Sequence, residues 1–221
     1  MRPISVWSRV TANTGALPLR SRGSAPVFAV TRDHTEIGRI QGKQFAALLP
    51  RGGTILYIQG PATSLAAVQR SVGMESVKPP GMKLKLLRSP WTEQGSYEAV
   101  SDWLRLSTSR VSGIDLIGCQ YDGIAIGARK AFSELPDAGE RERWRALPFT
   151  GIDGLPNEGQ AWVDQGLLAA TVVSGTTTAL AMEMVMNALS SGTQPPLRTL
   201  IELTSYPALE RLTVVAARQK P

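Results

Sequence analysis

Ile114-Asp115-Leu116-Ile117-Gly118-Cys119-Gln120-Tyr121-Asp122 is the stretch on which the fold turns. Residues 114–119 form a short apolar run of the kind buried in a parallel sheet, and Asp122 stands where it can cap a helix running to about residue 134. The same strand-then-helix unit recurs on both sides. Upstream, 54–58 (Thr-Ile-Leu-Tyr-Ile) reads as a strand, Gly60-Pro61 as a loop and 63–77 as a helix that Pro79-Pro80-Gly81 breaks. The run 82–87 alternates Leu84 and Leu86 with Lys83 and Lys85, as a strand does. The loop Ser89-Pro90-Trp91-Thr92 then leads to a helix with Tyr97, Val100 and Leu104 on its inner face. Downstream, 147–152 and 168–173 read as strands, and Pro156 opens a short helix between them.

A helix over 35–49, ended by Arg51-Gly52-Gly53, precedes these units, and 26–31 is a short candidate strand. A last helix puts Met182, Val185, Met186 and Leu189 on one face, and the two methionines read as core; 197–203 reads as one further strand. Strands alternating with helices at this spacing make βαβ units. The predicted class is α/β, a doubly wound parallel sheet flanked by helices.

Composition removes several function classes. The 221 residues carry one cysteine, Cys119, and one histidine, His34, so neither a disulfide framework nor a multi-thiolate or multi-histidine metal site is supplied. No apolar run is long enough to cross a membrane. The net charge of +6 resides in residues 1–32, where Arg2, Arg9, Arg20, Arg22 and Arg32 meet no acidic residue, leaving about +1 for the remainder. A nucleic-acid-binding domain concentrates its basic residues on a folded face, so no nucleic-acid partner is expected. Residues 1–25 have no sustained period and no apolar core of secretory-signal type, and read as an irregular or disordered segment. The expected organisation is a basic segment over 1–32, an α/β lobe over 33–173, and a crossover helix and strand over 174–221.

In a parallel sheet, ligands bind at the carboxyl ends of the strands. That rule nominates Gln59-Gly60, Trp91, Gln120-Tyr121-Asp122, Asp153 and Ser174. Pro61 removes an amide that a phosphate would use, no GxxxxGK[ST] or GxSxG sequence is present, and His34 reads as an exposed residue near a helix start. Asp122 and Asp153 are open to two readings. They can serve as paired carboxylates for glycoside hydrolysis or as hydroxyl acceptors for a bound sugar, unless Asp122 is only a helix cap and Asp153 only a turn residue. Trp91, in its Pro-containing loop, offers a face on which a sugar ring can stack. Trp103 and Trp162 read as packing residues, Trp144 as the cover of a hydrophobic edge, and Cys119 as an inert buried thiol.

Residues 32–175 resemble the second lobe of type I periplasmic binding proteins, in the sugar-binding branch that serves ABC importers. The resemblance rests on the order and spacing of Asp33-His34-Thr35-Glu36-Ile37-Gly38-Arg39-Ile40-Gln41-Gly42, Ile55-Leu56-Tyr57-Ile58-Gln59-Gly60-Pro61, Trp91-Thr92-Glu93, Cys119-Gln120-Tyr121-Asp122 with Gly127-Ala128-Arg129, and Gly151-Ile152-Asp153-Gly154-Leu155-Pro156. Trp162-Val163 and Leu168-Ala169-Ala170-Thr171-Val172 complete it. It implies noncovalent sugar binding in a cleft between two lobes, ABC transporter permease subunits as partners, a periplasmic or extracytoplasmic location, no cofactor, no metal and no catalytic residue. Trp91 would be the aromatic wall, with Asp122 and Asp153 accepting hydroxyl hydrogen bonds.

The chain departs from the pattern where Tyr121 replaces an asparagine and where the arginine that follows the second strand falls at Val68, with Arg70 two residues on. The polar residue after the Ala-Thr strand falls near Ser174. A complete member would also have about a hundred further residues before position 33, the size of a small domain, so the resemblance implies a truncated chain. The alternative reading is the effector-sensing domain of a LacI-type transcriptional regulator, which shares the fold.

Overall fold

The computed structural model describes residues 27–106 and 113–212, so the expectation for residues 1–25 lies outside the described residues. The chain divides into two compact units, one of residues 1–33 with 175–202 and one of 34–174 with 203–221.

The larger unit is an α/β sandwich. Its strands are β2 (Gly53–Gln59), β3 (Met82–Arg88), β4 (Leu116–Cys119), β5 (Phe149–Asp153), β6 (Ala170–Val173) and β8 (Thr204–Tyr206). They form one sheet in the order β3-β2-β4-β5-β6-β8, parallel throughout except at the last edge, where β8 runs antiparallel to β6. The helices are α1 (His34–Leu48), α2 (Leu65–Val77), α3 (Glu93–Leu104), α4 (Asp122–Ser133), α5 (Ala138–Ala146) and α6 (Ala161–Asp164), with one wide turn at Pro156–Gln160 leading into α6. The strand order moves outward from β2 to β3 in one direction and from β4 to β8 in the other, which is the doubly wound arrangement. It places the carboxyl ends of β2 and β4 side by side, in parallel register from Ile55↔Leu116 to Ile58↔Cys119.

The alternation of β2 decides which helices cover which face. Leu56 and Ile58 join Ile117 and Cys119 against Val100 of α3, Ile124 and Phe132 of α4 and Trp144 of α5. Ile55 and Tyr57 face the other way, with Leu116, against Phe45 of α1 and Met74 of α2. Both faces are therefore dry, as an all-parallel sheet core requires.

Five details differ from the sequence reading. Trp144 is a core residue, 1% exposed and stacked on Phe132 at 4.4 Å, because α5 folds inward where no helix was expected. His34 is buried rather than exposed, since the first turns of α1 carry Ile37 and Ile40 into a cluster with Ile152 and Val172. Asp122 is the first residue of α4; Tyr121 holds the cap position without a side-chain cap bond, because the Asp122 carboxylate is engaged elsewhere. Residues 197–203 do not form one strand: β7 (Arg198–Leu200) belongs to the smaller unit and β8 to the larger.

The fifth difference lies in the smaller unit. There β1 (Ala29–Thr31) pairs parallel with β7, and Arg32 donates from Nη2 to the Gly175 carbonyl at 2.6 Å. Two strands of three residues cover little of α7 (Thr177–Ser191), so Met182 and Met186, expected in a core, are 53% and 60% exposed. Among the described residues no helix is long and apolar enough to cross a membrane.

Candidate functional site

The carboxyl ends of β2, β4, β5 and β6 bring together the residues that the strand-end rule nominates. They sort into a buried floor and a surface row.

Gln120, directly after β4, anchors the floor. It is fully buried; its Oε1 accepts from the Gly60 amide at 3.0 Å, and its Nε2 lies 3.0 Å from each of Tyr57 Oη, the Ala67 carbonyl and Ser71 Oγ, which share its two hydrogens. Tyr57 Oη in turn donates to Gln41 Oε1 at 3.1 Å, and Gln41 Nε2 donates to the Cys119 carbonyl at 2.7 Å. Burial raises the Tyr57 phenol above its ordinary value and the Cys119 thiol well above its own, so both stay neutral and neither is a nucleophile. The chain of amides and hydroxyls fixes the loop after β2 to the loop after β4. Satisfied networks of this kind rigidify the ground beneath a ligand.

Asp122 is the second floor residue, 1% exposed. Thr171 Oγ1 donates to its Oδ1 at 2.6 Å, and the Gly154 amide donates to its Oδ2 at 2.7 Å. The carboxylate fits only because Gly151 and Gly159 lack side chains: a Cβ at either position would fall inside contact distance of a carboxylate oxygen. Burial is the main reason its pKa rises from 3.8 to about 7; the two donors lower it, while Asp153 and Glu158 raise it further. Its visible role is to tie the β5 and β6 ends together. Ser174 is also fully buried; its amide donates to the Asp153 carbonyl at 3.1 Å and its hydroxyl lies 3.4 Å from Asp153 Oδ1.

Above this floor, Trp91, Arg70, Tyr121 and Asp153 make the surface row. Trp91 is half-buried, its ring laid over Gly60 so closely that any side chain there would displace it. The guanidinium of Arg70 stands 5.5 Å from the Trp91 ring centroid. The same side chain donates from Nη1 to the Gln120 carbonyl and places Nη2 3.5 Å from Asp153 Oδ1. The Arg70 side chain is 7% exposed and that of Asp153 27%, so the pair meets at the boundary between protein and solvent. Asp153 has φ 112°, the single positive φ of a non-glycine residue among those described. An L-residue held there costs on the order of 1–3 kcal/mol, a cost that clusters at ligand-contacting positions. Tyr121, beside Asp153, has its phenol pKa raised by burial first and then by the carboxylates of Glu158, Asp153, Asp122 and Glu93.

Of the eight residues nominated from sequence, Trp91, Tyr121 and Asp153 therefore reach the surface, whereas Gln59, Gly60, Gln120, Asp122 and Ser174 lie beneath them. Arg70 is not among them, and Val68, where the family pattern has its arginine, is 46% exposed on α2. The signal for Arg70 is present in the sequence: Ala67, Arg70 and Met74 share one helical face, and that face is buried.

No group of three or more metal-ligating side chains occurs among the described residues. Chemically, a planar aromatic face beside a hydrogen-bonding fork and a carboxylate suits a flat, hydroxyl-rich, uncharged molecule.

The family described as periplasmic binding protein domain matches residues 10–194, and the chain belongs to that family. No curated protein matches the sequence. Among solved structures, the ABC transporter periplasmic solute-binding protein of Actinobacillus succinogenes 130z with bound D-allose aligns at 19% identity and a TM-score of 0.67, covering 85% of this chain and 63% of its own. The fructose-binding periplasmic domain of a hybrid two-component system aligns at 24% identity and TM-score 0.67, over 89% of this chain and 64% of its own. A solute-binding protein of Bacillus halodurans C-125 with bound myo-inositol aligns at 19% identity and TM-score 0.65, over 85% and 63%. The chain thus spans just under two thirds of the length of these structures, and at these identities the likeness is one of fold.

Proposed function

We propose that this member of the periplasmic binding protein family binds a sugar noncovalently, as the substrate-binding component of an ABC-type importer acting outside the cytoplasmic membrane. The observation that carries the proposal is the row of Trp91, Arg70 and Asp153, with Asp153 kept at φ 112° and paired to a nearly buried arginine. A strained aspartate at a strand end is retained where its carboxylate has work to do. Trp91 stacks on the apolar face of the sugar ring, while Asp153 accepts from its hydroxyls and Arg70 donates to its oxygens. Solved relatives of this fold hold D-allose and myo-inositol, both neutral polyhydroxylated rings, which supports the ligand class. In a full-length member a second lobe closes over the sugar, and permease subunits read the closed state.

The reading is of binding alone. Asp122 has both oxygens bonded to the protein beneath the surface, so Asp122 and Asp153 do not present the two accessible carboxylates that the hydrolytic reading requires of them.

The test is a thermal melt and tryptophan-fluorescence titration of the full chain against pentoses, hexoses and inositol. At least one sugar raises the melting temperature, since a ligand stabilises the state that binds it. Trp91→Ala removes the fluorescence response and weakens binding. Unchanged affinity in Trp91→Ala refutes the stacking role, and turnover of a chromogenic glycoside refutes the binding-only reading.

A further inference from the structure

At the opposite ends of the strands, away from the proposed sugar site, the larger unit contains a cavity of about 310 Å³. It lies at the amino ends of β5 and β6, under the last turn of α5 and beside α6. Leu147, Phe149, Val163, Leu167 and Leu168 supply its apolar wall. Its charged lining consists of two side chains, Arg129 from α4 and Arg145 from α5, with no acidic residue among the lining positions.

The two guanidiniums are uncompensated. Among the described residues neither Arg129 nor Arg145 makes an ion pair or a side-chain hydrogen bond, although five other ion pairs occur there. Arg129 is held in place by packing instead, its guanidinium 4.7 Å from the centroid of the Phe149 ring. Its pKa is lowered by burial first and by the charge of Arg145 second, so the two like charges stand close enough to act on each other. The protein leaves the donors of this cavity to the arginines, because the neighbouring amides are spent. The Ala169 amide donates to Phe149 O at 2.7 Å, and the Leu167 and Leu168 amides donate to Trp162 O at 2.8 and 3.1 Å.

We propose that this cavity is a binding site for a small organic carboxylate, with its anionic head on Arg129 and Arg145 and its apolar body against Phe149, Leu147 and Leu168. A planar guanidinium fixed over an aromatic ring presents its edge in the geometry that takes a carboxylate bidentately. The volume is at the lower end of the range for small-molecule sites, which limits the occupant to about the size of benzoate or hexanoate. The apolar wall selects against inorganic phosphate, whose hydration shell would have nothing to replace it on that side. The site is independent of the sugar-binding proposal, sharing none of its residues.

The experiment is saturation-transfer NMR with equilibrium dialysis on the full chain, at constant ionic strength, using benzoate, hexanoate, benzamide and inorganic phosphate as probes. Benzoate and hexanoate bind saturably, and benzamide and phosphate bind at least about tenfold more weakly, the factor expected for losing one charged interaction or the apolar contact. Arg129→Gln and Arg145→Gln each weaken benzoate by about tenfold or more. Arg145 is exposed near the end of α5, so Arg145→Gln keeps the test valid should Arg129→Gln fail to fold. The proposal is overturned if neither carboxylate binds saturably, if benzamide or phosphate matches benzoate, or if a folded variant keeps full affinity for benzoate.

Discussion

Asp122 makes the stability of this protein depend on pH in a window where carboxylates ordinarily contribute nothing. Its folded pKa is about 7 against 3.8 for an unperturbed aspartate, with burial the dominant cause. Between those two values the folded state holds a proton that the unfolded chain releases. Stability therefore falls as pH rises through the window; the contribution is complete below about pH 4 and gone above about pH 7. Roughly three pH units at about 1.4 kcal/mol each give a contribution of about 4 kcal/mol across the whole window, and about 3 kcal/mol between pH 5.0 and 7.5. Thr171 permits the switch. Its hydroxyl donates to the ionised carboxylate at 2.6 Å and can rotate to accept from the protonated one.

Urea denaturation of the wild type and of Asp122→Asn at pH 5.0 and 7.5 measures the effect. Asparagine keeps the shape and removes the titration, so the wild type loses about 3 kcal/mol more than the variant on going from pH 5.0 to 7.5. Any other group titrating in the window contributes to both chains and cancels in the difference. Parallel stability profiles, within about 0.5 kcal/mol, would refute the claim that Asp122 is protonated in the folded protein near neutrality.

Three further expectations concern its neighbours. Asp153→Ala weakens sugar binding by about 1–3 kcal/mol in calorimetry, the worth of a charged hydrogen bond, and an unaltered affinity makes Asp153 a turn residue only. Asp153→Gly loses the same affinity yet unfolds at a higher urea concentration than Asp153→Ala, by about 1 kcal/mol, because glycine meets φ 112° without strain; equal stability of the two variants would argue against strain there. Gly151→Ala destabilises the fold by about 1–3 kcal/mol in the same assay, since the added methyl displaces the Asp122 carboxylate, and a neutral result would show that the Asp122 pocket has room to spare.

The sheet was legible because its central strands are read from both sides. Residues 55–58 and 116–119 are continuous apolar runs, the pattern a strand needs when helices cover both faces. Helix α5 escaped for the opposite reason. Ala138–Ala146 carries two glutamates and three arginines, and it is held inward by the single buried ring of Trp144, so it has almost no apolar period to detect. Strand β8 has three residues, Thr204, Ser205 and Tyr206, and exists through its antiparallel pairing with β6. The strand-end rule named loops that the structure gathers at one end of the sheet. It could not separate Asp153 at the surface from Asp122 beneath it, because that distinction is made by Thr171 and Gly154, distant in sequence. Arg70 was hidden by its own polarity, since a charged residue on a helix is ordinarily assigned to the solvent face.

Charge is distributed unevenly between the two ends of this sheet, and that asymmetry constrains what each end can hold. At the carboxyl ends Arg70 is paired with Asp153, while Glu93 and Glu158 add to the negative potential that raises the Tyr121 phenol. An anionic ligand there meets repulsion that the already engaged arginine cannot offset, whereas a neutral polyol uses donor and acceptor alike. At the amino ends the imbalance is reversed: two arginines face a cavity that contains no acid. Helix α4 spans both environments, with Asp122 at its first position and Arg129 seven residues on, about 10 Å along the axis. The two proposals thus put a neutral, hydroxyl-recognising surface and a cationic pocket at opposite ends of one sheet, with opposite demands on ligand charge.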